Sequence, residues 1–220
     1  MKHMHRLIVT SATYRQSSRN RPELATIDAR NRLLARQNRL RLDAEVVRDV
    51  ALASSGLLTR TVGGRSVFPP QPGGVYAFTQ IPRNWAASTG PDRYRRGLYT
   101  YFWRSAPHPD LTVFDAPDAL SACTHRNRSN TPLQALTLLN DEGFFEIAQA
   151  LAARVCLECK GADGERVAHA FRLCLGRQPS PRECQALERL LHQQGEAKAI
   201  DAWTSLARVL LNLDEFITRE

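Results

Sequence analysis

The sequence predicts a mostly α-helical, bundle-like fold with an irregular central region and one short β-hairpin. Apolar residues recur at helical spacing over residues 1–58 and again over 121–220. Between these segments, glycine, proline and aromatic residues interrupt any regular pattern. We therefore expect three segments, 1–58, 59–120 and 121–220, that together form one continuous domain.

The composition is that of an ordinary globular protein with a proper core. The 220 residues are 43% apolar and 24% charged. No apolar run has the length of a membrane-spanning helix, and the N-terminus has no signal-peptide core, so we expect no export signal in this chain. Five scattered cysteines are too few for a disulfide scaffold.

The chain is basic, with a net charge of +8 that comes mainly from arginine. A nucleic-acid binder would explain such a charge, because bound phosphates release counterions. However, the arginines are spread along the chain and alternate with acidic residues, which favours internal ion pairs. Nucleic-acid binding through an arginine-rich surface is therefore kept only as an alternative.

Three helices are predicted before residue 59. The first covers residues 3–18 and the second 27–39, while the third begins after the N-cap Asp43 and stops at Gly56. The first helix has no cap or lead-in. We therefore expect the chain to be a fragment of a larger protein, with Leu7 and Ile8 on an uncovered face and self-association as the result.

The central region is predicted to be mostly irregular. Residues 59–74 form a loop rich in glycine and proline, and residues 75–81 alternate well enough for a short strand. Residues 94–103 interleave aromatic side chains with arginines. This pattern favours an aromatic core covered by arginine stems over a surface that stacks nucleic-acid bases.

Residues 118–140 are predicted to contain two helices. A short one leads from Asp118 toward Cys123, and a longer one starts after the N-cap Thr131. Pro132 suits the first helical position, and Gln134 stands where a capping box requires it. We therefore expect the side chains of Thr131 and Gln134 to satisfy backbone N–H groups at this helix start.

The C-terminal residues predict a series of antiparallel helices. One helix covers residues 141–155, either continuing the preceding helix or kinking near Gly143. The next is capped by Asp163 and ends at Gly176, and residues 180–183 form a full capping box for the third. That helix stops at Gly195, and a last helix covers residues 200–211.

The loop that precedes the capped helix is the candidate binding site. His125, Arg126 and Arg128 lie close to the positive end of a helix, an arrangement that favours an anion or a carboxylate. We expect Asp115 to pair with Arg126 or Arg128, with Arg126 facing inward and Arg128 outward. The candidate residues are Asp115, Cys123, His125, Arg126, Arg128 and Asn130.

The sequence gives weaker support for a zinc site, a redox pair or a catalytic nucleophile. Cys123, His125, Cys156 and Cys159 are the residue types of a zinc site, but they lack its usual pairing of ligands on tight turns. Cys156 and Cys159 also fit a redox or disulfide pair, or buried thiols without function. A cysteine nucleophile activated by histidine requires the two side chains to be in contact. Closeness in the sequence does not ensure this for Cys123 and His125.

Several blocks of the sequence carry a family resemblance. They are residues 5–9, 11–17, 41–45, 48–49, 55–56, 95–100, 114–117, 123, 130–136 and 175–177. In this order they resemble the C-terminal domain of unknown function of large planctomycete proteins, many of which carry a c-type cytochrome domain. One departure is His125-Arg126, where such domains usually have two arginines.

The resemblance implies an exported parent located in the periplasm or at the cell surface. Its partners would be the missing N-terminal domains of the parent or a homologous subunit. Haem c would belong to a separate N-terminal domain of the relatives, and no cofactor is expected in this chain, because Lys160 and not histidine follows Cys159.

Together these observations favour a non-catalytic module that binds or scaffolds, with a polymer or an anion as its ligand. A hydrolase or polymer-processing site around Asp115 and residues 123–130 is the alternative from a different functional class. The sequence contains no established catalytic motif that decides between them.

Overall fold

A computed structural model describes residues 1–77, 79, 84–193 and 199–219. These residues contain eight α-helices and one pair of two-residue antiparallel strands, which confirms the mostly α-helical fold. The chain divides into two compact units. Met1–Arg41 and the strand Thr218–Arg219 form the N-terminal unit, and Leu42–Ile217 forms the helical unit. The three segments inferred from the sequence stay a prediction.

The N-terminal unit is built from one helix, several turns and one strand pair. Helix α1 (Lys2–Thr10) has no buried residue. Strand β1 (Leu40–Arg41) pairs with β2 (Thr218–Arg219), so that Leu40 faces Arg219 across the ladder. The apolar face predicted to be uncovered is exposed, with 57% of Leu7 and 51% of Ile8 accessible.

Two helix predictions in this unit are wrong in extent or in kind. The predicted helix 3–18 ends at Thr10, where the backbone becomes extended. The predicted helix 27–39 is a series of turns. Its Asp28 carboxylate accepts the backbone N–H groups of Arg32 and Leu33, at 2.8 and 2.7 Å. Short polar side chains that bond to the backbone in this way compete with helix formation.

The helical unit follows the predicted pattern most closely. Helix α2 (Ala44–Ser55) begins after Asp43 and ends at Gly56, whose φ of 82° is the left-handed conformation that glycine adopts readily. The other helices are α3 (Pro109–Val113), α4 (Pro132–Asn140), α5 (Glu142–Glu158), α6 (Asp163–Leu175), α7 (Pro181–Gln193) and α8 (Ala199–Leu211).

Helix α5 is the centre of the core. Its residues Ile147, Leu151 and Val155 are each at most 2% exposed, and the helix packs against α2, α4, α6 and α8. The same hydrophobic cluster includes Val47, Leu52, Leu138, Phe171, Leu206 and Leu210. Burial of each such side chain contributes about 1.5–3 kcal/mol, so α5 fixes the positions of the helices around it.

Helix caps explain where several helices start. Ser180 and Glu183 form the predicted reciprocal capping box at α7. The predicted cap Asp163 is instead the first residue of α6. Asp141 accepts the N–H groups of Gly143 and Phe144, so α5 starts as a helix separate from α4. The predicted stop at Gly195 lies outside the described residues.

The central region packs as predicted around aromatic residues. Phe68 stacks on Tyr101 at 4.9 Å and meets Trp85 edge-on at 5.0 Å, measured between ring centroids. Arg95 lies over the Tyr99 ring. The predicted strand 75–81 is wrong where it is described, because residues 75–77 form a turn; Phe78, Gln80 and Ile81 lie outside the described residues.

The short helix predicted from Asp118 toward Cys123 is also wrong. Asp118 accepts the backbone N–H of Leu120 at 2.9 Å, and Ala119 has a φ of 57°. This local hydrogen bond and the left-handed residue give a bent loop in place of a helical turn. Among the described helices, none has the length and apolar character to cross a membrane.

Candidate functional site

The site loop, residues 115–130, leaves α3 and returns to α4. Asp115 has a φ of 62°, an unusual conformation for a residue other than glycine. Its carboxylate oxygen Oδ2 accepts hydrogen bonds from the backbone N–H and the hydroxyl of Ser129, both at 2.7 Å. The two ends of the loop are therefore joined through Asp115.

The prediction that Asp115 pairs with Arg126 or Arg128 is wrong. The hydrogen bonds from Ser129 satisfy Asp115, and both arginines lie against the first turn of α2 instead. Arg126 makes a two-pronged contact with the Glu45 carboxylate at 2.7 and 3.1 Å. Arg128 lies 3.5 Å from the Asp43 carboxylate.

The Glu45 contact is the stronger of these two ion pairs. Partial burial opposes ionisation of Glu45, but hydrogen bonds from Arg126 and a backbone N–H outweigh it, so the pKa of Glu45 lies below its usual value. The same contact raises the pKa of Arg126. Both groups are charged at neutral pH, and the Arg126–Glu45 ion pair therefore holds the loop against α2.

A second segment is held by the same helix. Asp49, one helical turn after Glu45, accepts hydrogen bonds from the Arg96 side chain at 2.6 Å and from the Gly97 N–H at 2.7 Å. The residue blocks around 41–49 and 95–100, which carried the family resemblance, are therefore in contact. One face of α2 positions both the site loop and the segment around Gly97.

Sequence reasoning missed Glu45, Asp49 and Ser129 as residues that shape the site. A signal for the first two was present, because carboxylates four residues apart on one helical face need cations or N–H donors nearby. Their partners Arg126 and Arg96 are 81 and 47 residues away in sequence, and spacing alone does not identify them.

Gln134 acts at the site loop and not in a capping box. The Thr131 side chain makes no cap hydrogen bond, so the predicted Thr131–Gln134 box is wrong. Gln134 is 1% exposed, and its amide Nε2 donates to the carbonyl of Val113 at 3.0 Å and reaches Ser129 Oγ at 3.3 Å. Its side chain therefore joins the end of α3 to the end of the loop.

This difference gives a prediction for two single variants. Gln134→Ala should lower the free energy of unfolding by about 1–2 kcal/mol, because the partly buried carbonyl of Val113 loses the hydrogen bond from the Gln134 amide. Thr131→Ala should change it by less than about 0.5 kcal/mol, since no cap bond is lost. Urea denaturation measures both values. A larger loss for Thr131→Ala than for Gln134→Ala would contradict the structure.

The loop encloses an open cavity of about 460 Å³. The candidate residues Asp115, Cys123, His125 and Arg126 line it, whereas Arg128 and Asn130 are not among the lining residues. The remaining lining residues are Thr112, Ala116, Pro117, Asp118, Ser121, Ala122, Thr124 and Asn127. Hydroxyl, amide and imidazole groups thus line one concave surface. The loop that carries them is held by the Asp115–Ser129 hydrogen bonds and by the ion pairs of its two arginines.

All five cysteines lie in the described part of the chain, and their thiols are free. Cys123 is exposed, and its thiol contacts the backbone carbonyl of His125 at 3.3 Å and not the imidazole ring. No group of three or more His, Cys, Asp or Glu side chains suited to a metal ion occurs in residues 1–77, 79, 84–193 and 199–219. Cys156 and Cys159 are free thiols at the end of α5, and burial raises the pKa of Cys156.

The orientation of the two loop arginines predicts unequal effects on stability. Arg126 and Arg128 expose 36% and 39% of their side chains, so neither is the buried partner expected from the sequence. Arg126→Ala should cost about 1 kcal/mol, because its contact is two-pronged, and Arg128→Ala less than about 0.5 kcal/mol. Thermal melts of both variants measure this difference. Equal losses above about 3 kcal/mol, the range of broken buried pairs, would show instead that the loop is a structural clamp.

Comparison with known families finds a match over most of the chain. The model of the family described as PSD1, protein of unknown function (DUF1553), matches residues 1–191. No curated protein and no solved structure matches the chain.

Proposed function

The chain belongs to the PSD1 family of proteins of unknown function, and we propose that it is a non-catalytic binding module whose ligand site is the site-loop cavity. The observation that carries this proposal is the open, polar cavity on a loop held in place by Asp115–Ser129 and Glu45–Arg126. A concave surface with fixed polar groups binds a ligand without first paying for loop ordering.

The lining favours an uncharged ligand rich in hydroxyl groups, such as a saccharide. Arg126 is neutralised by Glu45, and Asp115 and Asp118 add negative charge, so the cavity has little attraction for anions. The anionic ligand expected from the sequence is therefore less well supported than an uncharged polymer. Ser121, Thr124 and other lining residues offer donors and acceptors that match sugar hydroxyls.

A hydrolase site is the second candidate function. This alternative requires Asp115, His125, Arg126 and Arg128 to converge on one cleft; the first three line the cavity, and Arg128 does not. Against it, Asp115 Oδ2 already accepts two hydrogen bonds from Ser129, as expected of a residue that holds the loop. An orienting role suits such a carboxylate better than general acid catalysis.

The wider setting of the module is part of the proposal and rests on the sequence resemblance. In this setting the parent protein is planctomycete, exported to the periplasm or cell surface, and associated with a c-type cytochrome domain. Haem then belongs to that separate domain, and this chain holds no cofactor. The upstream domains of the parent or a homologous subunit are its protein partners.

A panel of uncharged oligosaccharides tests the proposal. The purified chain is incubated with cello-, xylo-, manno- and chito-oligosaccharides, and both retention on the protein and new products are measured. We expect retention of at least one class with the sugar recovered intact. Release of shorter products, absent from a His125→Ala control, would replace the binding module with the hydrolase. Neither retention nor products across the panel would contradict the saccharide assignment.

A further inference from the structure

The arginines are spread along the chain, but the acidic residues are not. Residues 1–41 contain ten basic and only two acidic residues, a net charge of +8 that equals the net charge of the whole protein. Leu42–Ile217 contains nineteen basic and nineteen acidic residues and is neutral. The entire excess positive charge therefore belongs to the N-terminal unit.

The two acidic residues of this segment are too few to balance its ten basic residues. Glu23 pairs with Arg21 at the exposed surface. Asp28 uses both carboxylate oxygens for the backbone N–H groups of Arg32 and Leu33. Two carboxylates cannot neutralise ten cations, so this segment carries a large net positive charge at neutral pH.

The N-terminal unit also exposes an apolar surface. None of residues 1–41 belongs to the hydrophobic core, and Ile27 and Leu33 are 75% and 77% exposed. On α1, Met4, Leu7 and Ile8 follow helical spacing and share one face, each at least 51% exposed. Lys2 and Arg6 occupy other positions of the same helix, which is therefore basic and amphipathic.

We infer that the N-terminal unit binds the surface of a bilayer that contains anionic lipids. Cations attract the headgroups, while aliphatic side chains of an amphipathic helix enter the boundary between headgroups and acyl chains. Nucleic acid would account for the charge but not for the exposed aliphatic face, since bases stack on aromatic residues and Tyr14 is the one aromatic residue in residues 1–41. In a dimer formed through this face, two units that each have a net charge of +8 would repel each other, which opposes self-association.

Vesicle co-sedimentation of the full chain tests this inference. One set of vesicles contains phosphatidylcholine alone, and the other contains phosphatidylcholine with phosphatidylglycerol. We expect binding to the anionic set, little binding to the neutral set, and weaker binding as the salt concentration rises, because salt screens exposed charges. Absence of binding to anionic vesicles at low salt, or equal binding to both sets, would overturn the inference.

Matched variants separate the charge from the apolar face. Arg15, Arg19 and Arg32 changed together to glutamine should weaken binding by about tenfold or more. The matched control changes Arg60, Arg104 and Arg182, which are also exposed but belong to the neutral helical unit, and should bind like the wild type. Equal losses in the two triple variants would contradict a localised surface.

The apolar face has its own matched pair. Leu7→Ser with Ile8→Ser should weaken vesicle binding by about tenfold, whereas Leu157→Ser, at a leucine that is 71% exposed on α5, should not. Unchanged thermal melts show that the variants are folded. Tighter binding to duplex DNA or RNA than to anionic vesicles would overturn the inference, as would a dimer that disappears in the Leu7/Ile8 variant.

Discussion

Replacing Arg48 with methionine is expected to destabilise the helical unit by about 3–5 kcal/mol at neutral pH, the cost of breaking a buried charge cluster. Arg48 is only 8% exposed, and its Nη2 donates to the Arg93 carbonyl at 2.8 Å. The carboxylates of Asp110 and Asp141, in the first turn of α3 and before the first turn of α5, stabilise its charge. Methionine keeps much of the volume but leaves these carboxylates without their cation.

The effect of this variant should depend on pH. The pKa of Asp110 is raised to about 7, because burial and the nearby Asp141 charge raise it by more than the Arg48 charge lowers it. Because the folded pKa lies above the ordinary value of 3.8, the contribution of Asp110 is fully present below that pH and is lost as pH rises through about 7. Without Arg48 this loss becomes larger, so the variant should be destabilised more at pH 7.5 than at pH 5.

Urea denaturation at the two pH values measures this effect, with Arg128→Met as the control for a more exposed arginine that is 39% accessible. The control should differ little from the wild type at either pH. A variant Arg48→Met that is as stable as the wild type at pH 7.5, or equally destabilised at both pH values, would contradict the account of this cluster.

Gly97→Ala should destabilise the helical unit by about 3 kcal/mol, at the upper end of the cost of overpacking. A Cβ at Gly97 would lie 2.6 Å from the backbone oxygen and 2.8 Å from the Cα of Glu45. Backbone atoms cannot move aside as a flexible side chain does. The start of α2 would have to shift, and with it the Glu45 carboxylate that holds Arg126.

Gly73→Ala is the matched control, because a Cβ at Gly73 meets nothing within 4 Å. It should leave the midpoint of urea denaturation unchanged, whereas Gly97→Ala should lower it. We also expect Gly97→Ala to weaken ligand binding at the site loop, since its anchor on α2 moves. Equal midpoints for the two variants would show that the segment around Gly97 does not pack against α2 as described.

The parts of the fold that were predictable from sequence depend on local signals. Helix α2 stops at Gly56 and α7 starts with the Ser180–Glu183 box because each signal acts within a few residues. The helix predicted over residues 27–39 fails for a similarly local reason, since the Asp28 carboxylate bonds to the backbone. The prediction followed the helical spacing of the apolar residues and did not take the hydrogen bonds of Asp28 into account.

The candidate site was only partly predictable. The sequence predicts a binding loop where polar residues meet a helix start, and four of its six candidate residues line the cavity. The partner of Arg126 was not predictable. Asp115 and Glu45 are both carboxylates that could accept hydrogen bonds from Arg126, and only tertiary packing decides between them. Gln134 was likewise predicted to cap the helix, but its amide donates a hydrogen bond to the carbonyl of Val113, which is distant in sequence.

The most direct test of the account uses two asparagines on the same loop. Asn127 lines the cavity and Asn130 does not, although both are exposed. Calorimetric titration with a hexasaccharide of the class retained in the panel should show affinity lowered by up to about tenfold in Asn127→Ala, the loss of one ligand hydrogen bond. Asn130→Ala should bind like the wild type. Equal affinities in both variants, or a loss confined to Asn130→Ala, would contradict the assignment of the site-loop cavity as the binding site.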